Sequence, residues 1–326
     1  MKHTVLIPVL IAFALSLSYA RTQPQADTRD TRQTAEQATF ATPEAAVDAL
    51  ISAAGDYDVP QLLKIFGPAG ETFISSADPV RDKNNAIAFA ERARTKHAIQ
   101  KDPKNSKRAT LVVGEDNFPF PVPLVSKGSK WHFDSEAGRS EILYRRIGAN
   151  ELDAIQVCRG YVEAQHDYAS EIHDNSGVNQ YAQKIISTPG KQDGLYWVDA
   201  DGKPGGPISE PIAKALAEGY TLDKPTAYHG YYFKILKGQG PDAPMGRLDY
   251  VIQGAMIGGF AMIAVPAEYR VTGIKTFMVG PNGVVYERDL GPDSLNVAKQ
   301  MELFNPDKTW HPTEDSWPSS SDTASN

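Results

Sequence analysis

The chain carries seven histidines, at positions 3, 97, 132, 166, 173, 229 and 311, and a single cysteine, Cys158. Imidazole titrates nearest to neutral pH, so a histidine beside a carboxylate or an aromatic group is the first place to look for acid/base chemistry or a binding site. In Trp131-His132-Phe133-Asp134 the strand period puts the two rings on one face and His132 with Asp134 on the other. Burial of the rings is the stronger demand, which turns the polar pair to solvent. The inverse orientation would line a pocket with an acid/base pair, and His97 is a further candidate for such a site. A second aromatic cluster, Tyr228-His229-Gly230-Tyr231-Tyr232-Phe233, places His229 in register with Tyr231 at the mouth of a strand. His229, Tyr231 and Trp197 are the candidate ligand-binding residues.

The remaining spacings fit known chemistry poorly. Glu163-x-x-His166 is half of a di-metal carboxylate motif, but one copy without partner glutamate helices reads as a solvated helix face. Asp174-Asn175-Ser176-Gly177 and Asp199-Ala200-Asp201-Gly202 suggest calcium loops. Counting back from each glycine to loop position one gives Ile172 and Trp197, neither of which is a ligand type. Both stretches read as turns, with Asp174, Asp199 and Asp201 as the metal candidates. Ser187-Thr188-Pro189-Gly190-Lys191 lacks the earlier glycine of a phosphate loop, and the nucleophile elbow G-x-S-x-G is absent. A triad assembled from distant residues stays open. Cys158 falls in an apolar helical stripe and reads as packing, and as a lone cysteine it can form no internal disulfide. No catalytic residue is assigned and no cofactor is expected.

The elements that must position these residues follow two successive patterns. Thr42-Pro43 is a cap followed by a good first helical residue, and Ala46, Val47, Leu50 and Ile51 recur at helical spacing. A second helix holds Leu62, Leu63, Ile65 and Phe66, and a third is expected from Val80 to Ile99. Short strands follow at Ala109–Val113, Val122–Val125 and Lys130–Phe133. Asn150 is the expected cap of a long helix whose stripe is Leu152, Ile155, Cys158, Val162, Gln165 and Tyr168. Short helices are expected at Tyr181–Ile186 and Pro207–Glu218. Beyond Gly230 the chain reads as strands at Tyr231–Leu236, Tyr250–Ile252, Phe260–Val265, Ile274–Val279 and Val284–Glu287, closed by a helix at Asp293–Phe304. Phe260–Val265 is apolar on both faces, so it should be covered on both sides. The fold class is α+β.

The stretches TPEAAVDALISAAGDYDVPQLLKIF and GSKWHFD resemble the NTF2-like helix-and-sheet cone over residues 40–135. The long helix with GYYFKIL and FAMIAVPAEYRVTGIKTFMVGPNGVVYE, over residues 136–309, resembles the soluble part of type IV pilins and pseudopilins. That likeness implies a helix packed on an antiparallel sheet. The pilins' apolar N-terminal helix is missing, which argues against filament assembly by their route. Over the whole chain, TPEAAVDAL, DNFPFPVPL, NELDAIQVC, YAQKIISTPGKQDGLYW, YHGYYFKIL, QGPDAP, GGFAMIAVPAEY and VVYERDLGPD resemble a bacterial family of secreted proteins catalogued as domain of unknown function 2950. That family brings no established activity, substrate or catalytic residue.

Residues 1–20, MKHTVLIPVLIAFALSLSYA, have a basic start, an apolar run from Val5 to Leu15 and small residues at Ser18 and Ala20. This is the pattern of a cleavable secretory signal, and the run is too short for a membrane span. Residues 21–39 hold no large aliphatic or aromatic side chain and read as a disordered leader, and residues 310–326 as a disordered tail. The full chain has 33 Lys+Arg against 40 Asp+Glu, a net charge of −7. Loss of Lys2 with the signal leaves 32 against 40, or −8. No basic stripe interrupts this acidic chain, so neither nucleic acid nor an anionic membrane surface is an expected partner. The leading expectation is a periplasmic or secreted, non-enzymatic protein that binds an envelope partner or a small ligand. The alternatives are a small-pocket hydrolase or isomerase in the first half and a calcium-dependent structural module.

Overall fold

Residues 37–174, 176–208, 215 and 226–314 are described in the computed structural model. The expected signal, most of the leader, the end of the tail and nearly all of the helix at 207–218 lie outside them. The Thr42 hydroxyl accepts from the Ala45 N–H at 3.1 Å and opens α1 (Pro43–Gly55), which buries Ala46, Val47, Leu50 and Ile51. Asp58 caps α2 (Val59–Phe66) in the same way. A single turn, α3 (Glu71–Ile74), leads to α4 (Pro79–Thr95), capped by Asp78. This helix stops short of Ile99. His97–Asp102 instead form β1, paired from His97↔Val113 onward with β2 (Asn105–Val113). The ladder gives these residues backbone partners that the end of a helix leaves open.

Three short strands complete the first sheet: β3 (Phe118–Pro119), β4 (Leu124–Lys127) and β5 (Lys130–Phe133). Its order is β1-β2-β4-β5, with β3 beside β2, and all pairings are antiparallel. Leu50, Ile65, Phe66, Leu111, Leu124 and Phe133 form the centre of its core.

The long helix α5 runs from Ser135 to Ala169, beginning well before Asn150. Its cap is Asp134, whose carboxylate accepts from the Ala137 N–H at 3.2 Å. Gly148-Ala149-Asn150 is an interior turn. A mid-helix glycine costs about 1 kcal/mol, but packing at both ends of α5 outweighs it. Near the start Gly138 lies so close to Val122 that an added Cβ would sit 2.7 Å from it, and Ile142 packs on the first core. Near the end Ile155, Cys158, Tyr161, Ala164 and Tyr168 belong to a second core. One helix of roughly 50 Å therefore serves both cores, which lie in one compact unit.

After α5 the chain makes a small hairpin, β6 (Trp197–Val198) with β7 (Pro204–Gly205). Tyr181–Ile186, expected as a helix, is irregular. Its backbone groups are used elsewhere, for example Tyr181 N–H to the Met256 carbonyl and Ile185 carbonyl to the Tyr196 N–H. Next come β8 (Tyr231–Leu236), β9 (Gly238–Gln239), β10 (Leu248–Asp249), β11 (Val251–Ile252), β12 (Ala255–Met256), β13 (Ala261–Pro266), β14 (Lys275–Val279) and β15 (Val285–Asp289). Then follow α6 (Ser294–Gln300) and β16 (His311–Pro312). The main sheet has the order β16-β15-β14-β13-β8. The strand expected at 250–252 pairs outside it, in the β11–β12 hairpin. All six residues of β13 are buried, as an apolar run on both faces requires. Helix α5 packs against β13 and β14, and α6 sets Leu295 and Ala298 beside Ile263 and Val265. The expected tail begins later than residue 310: Trp310 is 5 % exposed in the second core, and β16 pairs with β15. The Trp310 indole supplies the apolar area that holds this end of the chain in the second core.

Candidate functional site

Arg146, Asn150 and Asp153 fall at i, i+4 and i+7 on α5 and share one face of it. That face passes the point where the two cores meet. The Arg146 guanidinium donates to the carbonyls of Thr72 (2.9 Å) and Phe73 (2.7 Å) and lies 3.5 Å from the Asp82 carboxylate. Asn150 donates to the Thr272 carbonyl at 2.8 Å, and its own side-chain oxygen is buried without a partner. The Asp153 carboxylate accepts from Arg81 at 2.6 Å and meets His229 Nδ1 at 2.8 Å. Asp78 completes the junction, with one oxygen on the Arg81 N–H (3.0 Å) and the other on the Gly230 N–H (3.1 Å). Gly230 is required there: its φ is +74° and an added Cβ would lie 2.4 Å from the Asn150 amide.

Beside this network a cavity of about 450 Å³ opens into the first core. Its walls are apolar and largely aromatic, with Leu50, Leu62, Phe66, Phe73, Phe89 and Phe120 prominent. The rings brace one another, Phe66 against Phe73 at 5.3 Å and Phe89 against Phe120 at 5.1 Å. The polar lining includes Tyr57, Arg81, Asp82, Arg145, Arg146 and Asn150. Three guanidinium groups and one carboxylate line this margin, and each guanidinium has a carboxylate partner: Asp153 for Arg81, Asp82 for Arg146 and Glu141 for Arg145.

The titratable groups show how tightly the margin is built. Burial pushes the Asp82 carboxyl above its ordinary range, against the opposing pull of Arg146 and of two hydrogen bonds from Ser76. Burial also raises the Tyr57 phenol, and the Asp82 charge adds to it. Burial raises Asp153 too, but hydrogen bonds from His229 and Arg81 outweigh it and hold the carboxyl below its usual value.

Residues 37–313 match the family described as Protein of unknown function (DUF2950). The chain belongs to that family. No curated protein and no solved structure matches it. The DUF2950 description names no activity, so the chemistry of the site has to come from its own side chains.

The residues singled out by type and spacing are scattered across this DUF2950 fold. His97 opens β1, with Nδ1 at 2.8 Å from the Ala93 carbonyl. His132 lies on β5, where Phe133 is fully buried, and Asp134 is occupied as the cap of α5. None of the three lines the cavity. Tyr231 is fully buried and donates to the Lys275 carbonyl at 2.8 Å, as a core tyrosine does; burial drives its phenol far above the ordinary value. Trp197 lies against the His173 ring at 5.5 Å, and His173 stacks on Tyr168 at 4.0 Å. His229 alone reaches the junction, through Asp153.

The three metal candidates are already engaged by separate donors. Asp174 accepts from the Gln192 N–H, Asp199 from the Trp197 indole, and Asp201 pairs with Lys203 at 2.9 Å. Among the described residues no group of three or more His, Cys, Asp or Glu side chains is placed to hold a metal ion. Asp174 also lines a second, polar cleft of about 610 Å³ beside the Lys184–Asp193 ion pair.

The sequence reading missed Tyr57, Asp78, Arg81, Asp82, Arg145, Arg146 and Asp153. A signal for part of the set was present: continuing the helical period back from Asn150 through SEILYRRIGA aligns Arg146 with Asn150 and Asp153.

Proposed function

We propose that this DUF2950 protein is a periplasmic or secreted binding protein, not an enzyme, and that its ligand is a small, largely apolar molecule held in the first-core cavity. The observation that carries this reading is the cavity itself: about 450 Å³, walled by braced aromatic rings, with a few polar groups at one margin. Ligand sites combine these features, an apolar body for affinity and sparse polar groups for orientation. The NTF2-like resemblance of residues 40–135 is in keeping with it, since that cone often holds a pocket. The signal-like residues 1–20 support export, and no helix among the described residues is long and apolar enough to cross a membrane.

One observation favours an enzyme as the second reading. Asp82 carries a raised pKa beside Tyr57 at a cavity margin, and perturbed carboxyls mark active sites. Its hydrogen bonds to Ser76 and its contact with Arg146 give it a structural task as well, which is why binding is preferred.

Native mass spectrometry of the full chain, purified gently from its own cell envelope or medium, separates the two. The binding reading expects a small-molecule adduct that organic extraction removes. Absence of any adduct, together with turnover on a hydrolase or isomerase panel that Asp82→Asn abolishes, establishes the enzyme instead. N-terminal sequencing of the same sample should read from Arg21.

A further inference from the structure

Resting on the proposed cavity, we infer that its ligand is an apolar acid whose carboxylate is read at the margin by Arg145. The three margin arginines are not equivalent. Arg146 is held by two backbone carbonyls and by Asp82, and its side chain is 13 % exposed. Arg81 is held by Asp153. Moving either would orphan buried or half-buried partners, so both are fixed in place with their charges already matched. Arg145 is different. It is 36 % exposed, and its ion pair at 2.7 Å is with Glu141, itself 52 % exposed and one turn earlier on α5. Such surface pairs contribute little and are easily exchanged. Its other hydrogen bond, to the Pro119 carbonyl, is long at 3.3 Å.

The position of Arg145 fits a head-group reader. Its guanidinium lies 4.5 Å from the centre of the Phe118 ring, and that ring lines the cavity while remaining 40 % exposed. Arg92 approaches the same ring at 5.5 Å and is tied to Asp116. Phe118 therefore sits at the cavity margin between two exposed cations, of which Arg145 lines the cavity. A ligand with an apolar body in the aromatic chamber would leave its polar end beside Arg145. There a carboxylate can take the two parallel N–H donors of a guanidinium in place of the exposed Glu141. The single margin carboxylate, Asp82, is already matched by Arg146, so it does not cancel the attraction.

The test is a matched pair of probes, dodecanoate and dodecanol, titrated calorimetrically into the full chain near neutral pH. Dodecanoate should bind at least about tenfold more tightly, the scale of one charge-assisted contact. That advantage should shrink in about 0.5 M salt, where exposed charges are screened. Arg145→Gln should abolish the advantage by bringing dodecanoate affinity down to that of dodecanol, whereas Arg145→Lys should keep part of it. Unchanged melting temperatures would show that both variants fold. Equal binding of the two probes overturns the acid assignment and leaves the cavity reading intact. A preference for dodecanoate that survives Arg145→Gln overturns the role of Arg145. Failure of both probes to bind overturns this inference together with the cavity reading.

Discussion

Replacing Gln165 by leucine should be among the most damaging single changes in the second half of the molecule, although leucine keeps nearly the same volume. Gln165 is fully buried on α5. Its amide donates to the Ala182 carbonyl at 2.9 Å and to the Tyr161 hydroxyl at 2.9 Å, and its oxygen accepts from the Ala182 N–H at 2.8 Å. The segment around Ala182 is irregular, so it has no ladder to fall back on. Leucine strands one backbone N–H and one C=O, each at about 1–3 kcal/mol when buried. Tyr161 loses less, because its hydroxyl keeps the Ala261 carbonyl at 3.3 Å. The sum is about 4 kcal/mol, or a fall in Tm of roughly 8–16 °C at about 2–4 °C per kcal/mol for a chain of this size. Urea and thermal melts of Gln165→Leu measure it directly. Glu163→Gln, exposed on the same helix, is the control and should stay within about 0.5 kcal/mol. A loss below about 1 kcal/mol for Gln165→Leu would refute the idea that this one amide pins the segment after α5.

Other consequences are testable in the same way. Asp153→Ala should cost about 2 kcal/mol in urea melts, because it leaves Arg81 and His229 without their shared carboxylate. Combined with Arg81→Ala it should cost clearly less than the two single losses added; simple additivity would mean the pair is not coupled. The Cys158 thiol, fully buried and pushed up by that burial to about 12, should resist a thiol reagent in the native protein and react at once in denaturant. Asp193 should contribute to acid lability. Burial raises its carboxyl, but hydrogen bonds from Lys184 and from Thr188 outweigh this and bring it to about 2. A depressed carboxyl stabilises the fold fully above the unfolded value of about 3.9, and that contribution is lost as pH falls through about 2. Because the group is partly exposed, the contribution is about 1 kcal/mol. Asp193→Asn should flatten the stability profile between those two pH values, and an unchanged profile would contradict the assignment.

What the sequence disclosed was governed by locality. The cap at Thr42, the burial of Cys158 and the doubly buried strand, expected at Phe260–Val265 and found at Ala261–Pro266, depend on residues near one another, and each was legible. The start of α5 was not. Asn150 has the composition of a cap, but tertiary contacts of Gly138 and Ile142 carry the helix back to Asp134. That shift hid Arg145 and Arg146, which lie before the expected cap and inside the helix. His97 was drawn into a helix for the same reason, since its strand partner Val113 is set by the sheet. The cavity was harder still, because its walls come from α1, α2, α3, α4, β3 and α5, and no short motif joins them. The alternation in Trp131-His132-Phe133-Asp134 was legible, since Phe133 is buried as expected and neither His132 nor Asp134 lines the chamber.

A titration with 1-aminoanthracene, an apolar fluorophore that brightens when shielded from water, asks directly whether the first-core cavity binds small apolar molecules. The full chain should give a saturable, blue-shifted signal. Ala86→Trp, which places an indole in the cavity lining, should abolish that signal without lowering Tm by more than a few degrees. Equal signals from the wild type and Ala86→Trp, or no saturable signal from either, would contradict the assignment of this cavity as the binding site.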